Sequence, residues 1–115
     1  MKQNRTIAAL PQDVANLLAR LGENLKIARL RRNMTQQELA AAMFTTRQTV
    51  ARLEAGDAGV SLGMFFTAAF CLRRLDELRG MLSPETDIEG ITLERRRLLR
   101  RRGGQKEPNS VELDF

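Results

Sequence analysis

Between residues 46 and 52 the chain carries Thr46, Arg47, Gln48, Ala51 and Arg52, which share one side of a helix if Val50 and Leu53 point the other way. These residue types match base-edge chemistry. Arg presents two donors to guanine O6 and N7, and Gln pairs bidentately with adenine N6 and N7. No acidic residue interrupts that stretch to repel phosphate. The same side chains are also ordinary solvated helix surface, so the face alone leaves both readings open.

What the chain lacks narrows the chemistry further. It has 0 His, 0 Trp and 0 Tyr, which removes imidazole catalysis, His-containing metal sites and Cys/His nucleophile pairs. The single Cys71 makes no internal disulfide and on an apolar helix reads as packing. Asp76 and Glu77 are adjacent in sequence and so lie on different sides of a helix. No catalysis, cofactor, metal or small-molecule substrate is expected.

At 115 residues with 43% apolar content, the chain has material for one modest core. The apolar runs, such as Leu39 to Met43, fall far short of the about 20 residues of a bilayer span, and residues 1–10 lack the apolar stretch of a secretory signal. A cytoplasmic, nucleoid-associated protein is the expectation. Charge is unevenly placed. Residues 1–82 hold 12 Lys/Arg against 7 Asp/Glu, and residues 83–115 hold 7 against 7. A basic body suggests a polyanion as partner. In the neutral tail Glu85, Asp87, Glu89 and Glu94 precede Arg95, Arg96, Arg97, Arg100, Arg101 and Arg102, and Glu107, Glu112 and Asp114 follow.

The elements that would position the 46–52 face are helical. Pro11 suits a first helical position, and Val14, Leu17, Leu18, Leu21, Leu25 and Ala28 recur at helical spacing, predicting a helix over roughly 12 to 32. Gly22 inside it costs about 1 kcal/mol relative to Ala and leaves a break near residue 23 open. Ile27 and Leu30 lie off the stripe, either partly exposed or covered by the N-terminal arm or a partner. Asn33 suits a left-handed helix end, Thr35 with Glu38 forms a capping box for a helix over 36 to 43, and Thr46 caps the next. Residues 54–59 read as a loop. Ser61 caps a helix to about Phe70, with Leu62, Phe65 and Ala69 inward, and a fifth helix spans roughly Leu75 to Met81. Apart from a weak Ile91–Leu93 segment, no period-two alternation exists. The expectation is an all-α body over residues 11–82, a flexible arm over 1–10 and a charge-segregated, partly disordered tail over 83–115.

The stretch TQQELAAAMFTTRQTVARLEAG, Thr35 to Gly56, resembles the helix-turn-helix of the lambda-repressor-like, or XRE, transcription regulators. Thr35, Gln36, Glu38, Leu39, Ala40, Thr46, Thr49, Val50, Leu53, Glu54 and Gly56 fall in register without a gap. The resemblance implies a five-helix lambda-repressor-like DNA-binding domain followed by a charged C-terminal tail. It also implies that Gln36 donates to a phosphate, that Arg47 and Gln48 read bases, and that Thr46 and Thr49 hold phosphate or a thymine methyl. Arg52 would reach a base or the flanking backbone, and Arg29 with Glu54 would be a structural ion pair. The turn departs from the pattern: Phe44 stands where it usually has Gly, and Thr45 replaces a customary apolar residue. With positive φ there, a bulky residue stores about 1 to 3 kcal/mol, so the turn is expected to be remodelled or the ring buried.

One short recognition helix covers few base pairs, so a homodimer on a palindromic operator is expected, with Met64, Phe66 and Phe70 as interface candidates unless the tail and fifth helix cover them. LGENLKIARLRRNMTQ from Leu21, GVSLG from Gly59 and the LERRRLLRRR block resemble the HipB-like antitoxins. That resemblance implies an autoregulating repressor that binds a HipA-type Ser/Thr kinase toxin. In it the segment beyond about residue 83 would dock on the toxin, with Ile91–Leu93 as a short strand across the dimer. The Arg95–Arg102 block is otherwise an arm along DNA phosphates, or a solvated segment paired with Glu89 and Glu94. A regulator without a toxin and an interaction module that has lost DNA binding are the alternatives.

Overall fold

The computed structural model describes residues 10–103, in two compact units that meet in sequence between Arg79 and Gly80. All but Leu10 of the N-terminal arm, and the tail beyond residue 103, lie outside the described residues. The first unit contains α1 (Gln12–Arg31), α2 (Gln36–Ala42), α3 (Arg47–Glu54), α4 (Leu62–Cys71) and a 3-10 turn over Leu75–Leu78. The second contains a 3-10 turn over Pro84–Thr86 and α5 (Ile88–Gly103). Among the described residues there is no strand. Among the described residues the fold is all-α with five α-helices, the number expected of a lambda-repressor-like architecture, but the fifth is not where the periodicity placed it. The 75–81 segment closes as a single 3-10 turn, and the fifth helix lies in the tail.

Local chemistry explains where the helices begin. Thr35 Oγ1 accepts from the Glu38 N–H at 3.0 Å while Glu38 Oε1 accepts from the Thr35 N–H at 2.8 Å, closing the capping box. Thr46 Oγ1 accepts from the Thr49 N–H and Ser61 Oγ from the Met64 N–H, both at 3.1 Å. Each such cap stabilises its helix by about 1 kcal/mol.

All four body helices end in the same way. One residue turns left-handed, and the next sends its N–H back to a carbonyl in the last turn: Met34 to Arg29, Thr45 to Ala40, Asp57 to Arg52 and Arg74 to Ala69. The left-handed residues are Asn33, Phe44, Gly56 and Arg73, only one of them glycine.

Gly22 does not break α1. A Cβ there would stand 2.6 Å from the Glu54 carbonyl oxygen and 2.7 Å from that of Leu53, and one on Gly56 would stand 2.7 Å from Ala19 Cα. The two glycines let the end of α3 lie directly on α1, so close approach accounts for a residue of poor helix propensity.

Leu25, Ala28, Leu39, Ala40, Met43, Val50, Leu53, Ala68 and Leu72 form the core, with Met34, Val60, Met64, Phe65 and Cys71 packed against it. The expected α1 stripe is buried only in its second half, since Val14 is 41% and Leu17 55% exposed. Length is the reason. α1 has 20 residues, α2 has 7 and α3 has 8, so a helix of about 30 Å is covered by partners of roughly 10–12 Å. On α4 Ala68 and Ala69 are buried, as is Leu72 just beyond its end, with Phe65 half-buried. Leu62, expected inward, lies on the opening turn beyond the edge of the core and is 67% exposed.

In the second unit, Ile91–Leu93 is helical and not a strand. Leu and Arg are good helix formers, and Glu89 at the positive end with Arg100, Arg101 and Arg102 at the negative end suits the macrodipole. No helix among the described residues is long and apolar enough to cross a membrane.

Candidate nucleic-acid interface

Three helices converge through one buried ion pair. Arg29 of α1 donates from Nε to Glu54 Oε2 at 2.6 Å and from Nη2 to Glu54 Oε1 at 3.0 Å, and its Nη1 holds the Met34 carbonyl at 2.7 Å. Both side chains are almost fully enclosed, at 6% and 4% exposure. The hydrogen bond to Glu54 holds the Arg29 guanidinium above its ordinary pKa against the opposing effect of burial. A charge buried at this depth is tolerable because its fork is matched to a carboxylate and a carbonyl. The pair ties the middle of the body to the last residue of α3.

The network reaches the surface through Gln36. Its Nε2 donates to Glu54 Oε1 at 3.1 Å, and its Oε1 accepts from Arg47 Nη1 at 3.2 Å. Both ends of the Gln36 carboxamide are therefore occupied inside the protein, and its amide would have to leave Glu54 to reach a phosphate. Arg47 stands at the exposed start of α3 with one guanidinium nitrogen so held.

α3 presents one face to the core and the other to solvent. Val50 and Leu53 are buried, while Thr46, Arg47, Gln48 and Arg52 are exposed and Thr49 and Ala51 half-buried. Thr46 spends its hydroxyl on the helix cap and lies 3.0 Å from the Thr49 hydroxyl, so these two first serve to shape the start of α3.

Arg52 is not alone on its face. Asp57, on the loop beyond Gly56, accepts from Arg52 Nε at 2.7 Å. Donation from Arg52, reinforced by the Gly59 N–H, keeps the Asp57 carboxyl below the usual carboxylate range, and the same contact raises the Arg52 value. The helical face itself is free of acid, but the next loop supplies one. Sequence reasoning passed over Asp57 because it read residues 54–59 only as a glycine-marked loop. The available signal was its place directly after a left-handed glycine cap, where the chain turns back toward the last helical turn.

The Phe44 expectation fails on both counts. Its φ is 56° and its ring is 96% exposed, so the turn keeps left-handed geometry without burying the side chain. The returning Thr45 N–H, 2.9 Å from the Ala40 carbonyl, together with the Thr46 cap, holds the turn in shape.

Of the dimer candidates, Met64 packs against the core, Phe66 is half-buried and Phe70 is 66% exposed. In the other unit Arg95, Arg96, Arg97, Arg100, Arg101 and Arg102 all lie exposed on α5. Among the described residues only Arg97 approaches a carboxylate, that of Glu94 at 3.9 Å, which leaves the solvated, internally paired reading of this block with a single loose contact.

Residues 25–69 match the helix-turn-helix family model, a span that contains the end of α1, all of α2 and α3, and most of α4. No curated protein matches the chain. A helix-turn-helix over these residues supports a part in DNA binding and transcription regulation.

Proposed function

Taking residues 25–69 as a helix-turn-helix, we propose that the protein is a sequence-specific transcriptional repressor that binds a palindromic operator as a homodimer, with α3 in the major groove. One observation carries this reading: Arg47, Gln48 and Arg52 are exposed on one side of a short helix whose opposite side is fixed in the core by Val50 and Leu53. A major groove about 12 Å wide admits such a helix, and these side chains carry the donors and acceptors that distinguish base pairs. Thr46 and Thr49 lie at the end of α3 that enters first, where they would meet phosphate or a thymine methyl, and Gln36 sits behind Arg47 as its support. Two copies are needed because each wrong base pair costs only about 1 to 3 kcal/mol, too little for one helix to select a genomic site. Phe70 and Leu62, exposed on α4 beside Phe66, are apolar surface suited to a twofold contact.

The finer assignment is an antitoxin of the HipB-like kind that represses its own operon and captures a HipA-type kinase toxin. It rests on the sequence resemblance and on α5, whose exposed arginines and exposed Ile88, Leu93 and Leu99 suit an acidic, partly apolar protein surface.

Titration of salt against the promoter-proximal duplex tests the DNA reading. Affinity should fall steeply as salt rises, by about 0.9 log units per log unit of salt for each phosphate neutralised, and a flat response would favour a pure interaction module. Arg47→Ala should cost about 1 to 3 kcal/mol on the cognate site and relax one base position. Equal losses on cognate and random duplexes would remove Arg47 from base reading. Co-purification with the product of the adjacent reading frame tests the antitoxin assignment, which fails if the two proteins elute apart.

A further inference from the structure

Arg52 is fixed at two points by one residue. Asp57 follows the left-handed Gly56, so its N–H returns to the Arg52 carbonyl at 3.0 Å while its Oδ2 accepts from Arg52 Nε at 2.7 Å. The carboxylate is anchored in turn, because the Gly59 N–H donates to Oδ1 at 2.7 Å. Arg52 thus has its Nε edge engaged, and the terminal Nη1 and Nη2 groups remain as donors. It lies one helical turn beyond Gln48, on the same exposed stripe, with 46% of its side chain accessible.

An ion pair this exposed contributes little to folding. Its consequence is geometric: a long side chain with many rotamers is held in one orientation before any partner arrives. Arg and guanine match through two donors and the O6/N7 acceptor pair, so a guanidinium presented by its Nη edge is prepared for that contact.

We propose that Asp57 is a positioning residue for base recognition, holding Arg52 so that its free guanidinium edge reads a guanine in the major groove. The proposal rests on the DNA-reading assignment of α3 and adds to it a residue outside the helix-turn-helix face. Asp57 remains ionised at neutral pH because Arg52 and Gly59 both favour its charged form. Ordering one such side chain in advance is worth about two- to twelve-fold in affinity.

The test selects binding sites from a pool of random-sequence duplexes with the full chain and its variants. Asp57→Asn keeps an oxygen for the Gly59 N–H, so the loop is retained, but removes the anionic partner of Arg52. Arg52→Ala should erase the preference for guanine at one position. Asp57→Asn should weaken the preference at that same position by about two- to twelve-fold and leave the other positions as they are.

A uniform gain or loss across all sequences for Asp57→Asn would make Asp57 a mere negative charge near the backbone and overturn the proposal. An unchanged profile for Asp57→Asn would overturn it as well. Failure of the wild-type chain to enrich any sequence would end the DNA-reading assignment and this proposal with it. An enriched site whose every position survives Asp57→Asn would sink the proposal alone.

Discussion

Glu54 can be removed only at the expense of its neighbours. It accepts two hydrogen bonds from Arg29 and one from Gln36, and truncation would leave a buried guanidinium without its counter-ion. Breaking one side of a buried pair costs about 3 to 5 kcal/mol, so Glu54→Ala should show that loss in urea denaturation. Retention of wild-type stability would mean that Arg29 finds another partner. Phe44 is the opposite case. Its side chain is almost wholly in solvent while its backbone is left-handed, so Phe44→Gly should relieve strain and stabilise the fold by about 1 kcal/mol, read as a raised denaturation midpoint. Loss of stability would show that the ring makes contacts of its own. At this scale the pattern of the motif residues was legible because their spacing sets which side of α3 they occupy. The occupancy of Gln36 was not, because it follows from how separate elements meet, whereas Asp57 stands only five residues after Arg52 and its signal was local.

Helix starts were readable from short stretches of chain, since Thr35, Thr46 and Ser61 bond N–H groups three residues on. Helix extents and buried faces were less so. Val14 and Leu17 keep the apolar spacing of α1 yet lie exposed because nothing as long as α1 packs beside it, and Leu62 fits the α4 stripe but precedes the core. Gly22 shows the difference most directly. Judged by propensity, Gly22→Ala would gain about 1 kcal/mol. In the fold the new methyl would meet the Leu53 and Glu54 carbonyls at under 3 Å, and backbone cannot step aside as a side-chain end can. Overpacking of this kind costs about 1 to 3 kcal/mol. Gly22→Ala should therefore lower the thermal midpoint, and by shifting the end of α3 it should also weaken operator binding. A higher midpoint would mean that α1 and α3 separate at little cost.

The molecule divides near residue 80, and among the described residues the buried core belongs to the first unit. Truncation after Pro84 should consequently leave a helical body with a cooperative thermal melt, and its loss would make the tail part of the fold. Composition and spacing alone determined the all-α class, the absence of imidazole chemistry, the helix starts and the residues offered by α3, because each depends on side-chain type or on bonds within a few residues. Tertiary structure decided the rest: that Gly22 lies where the end of α3 meets α1, that Val14 and Leu17 go uncovered, and that Gln36 is held between Glu54 and Arg47. Those outcomes depend on distances between parts of the chain that no local pattern records, and a hydrogen bond exists only where two groups have been brought within about 3 Å.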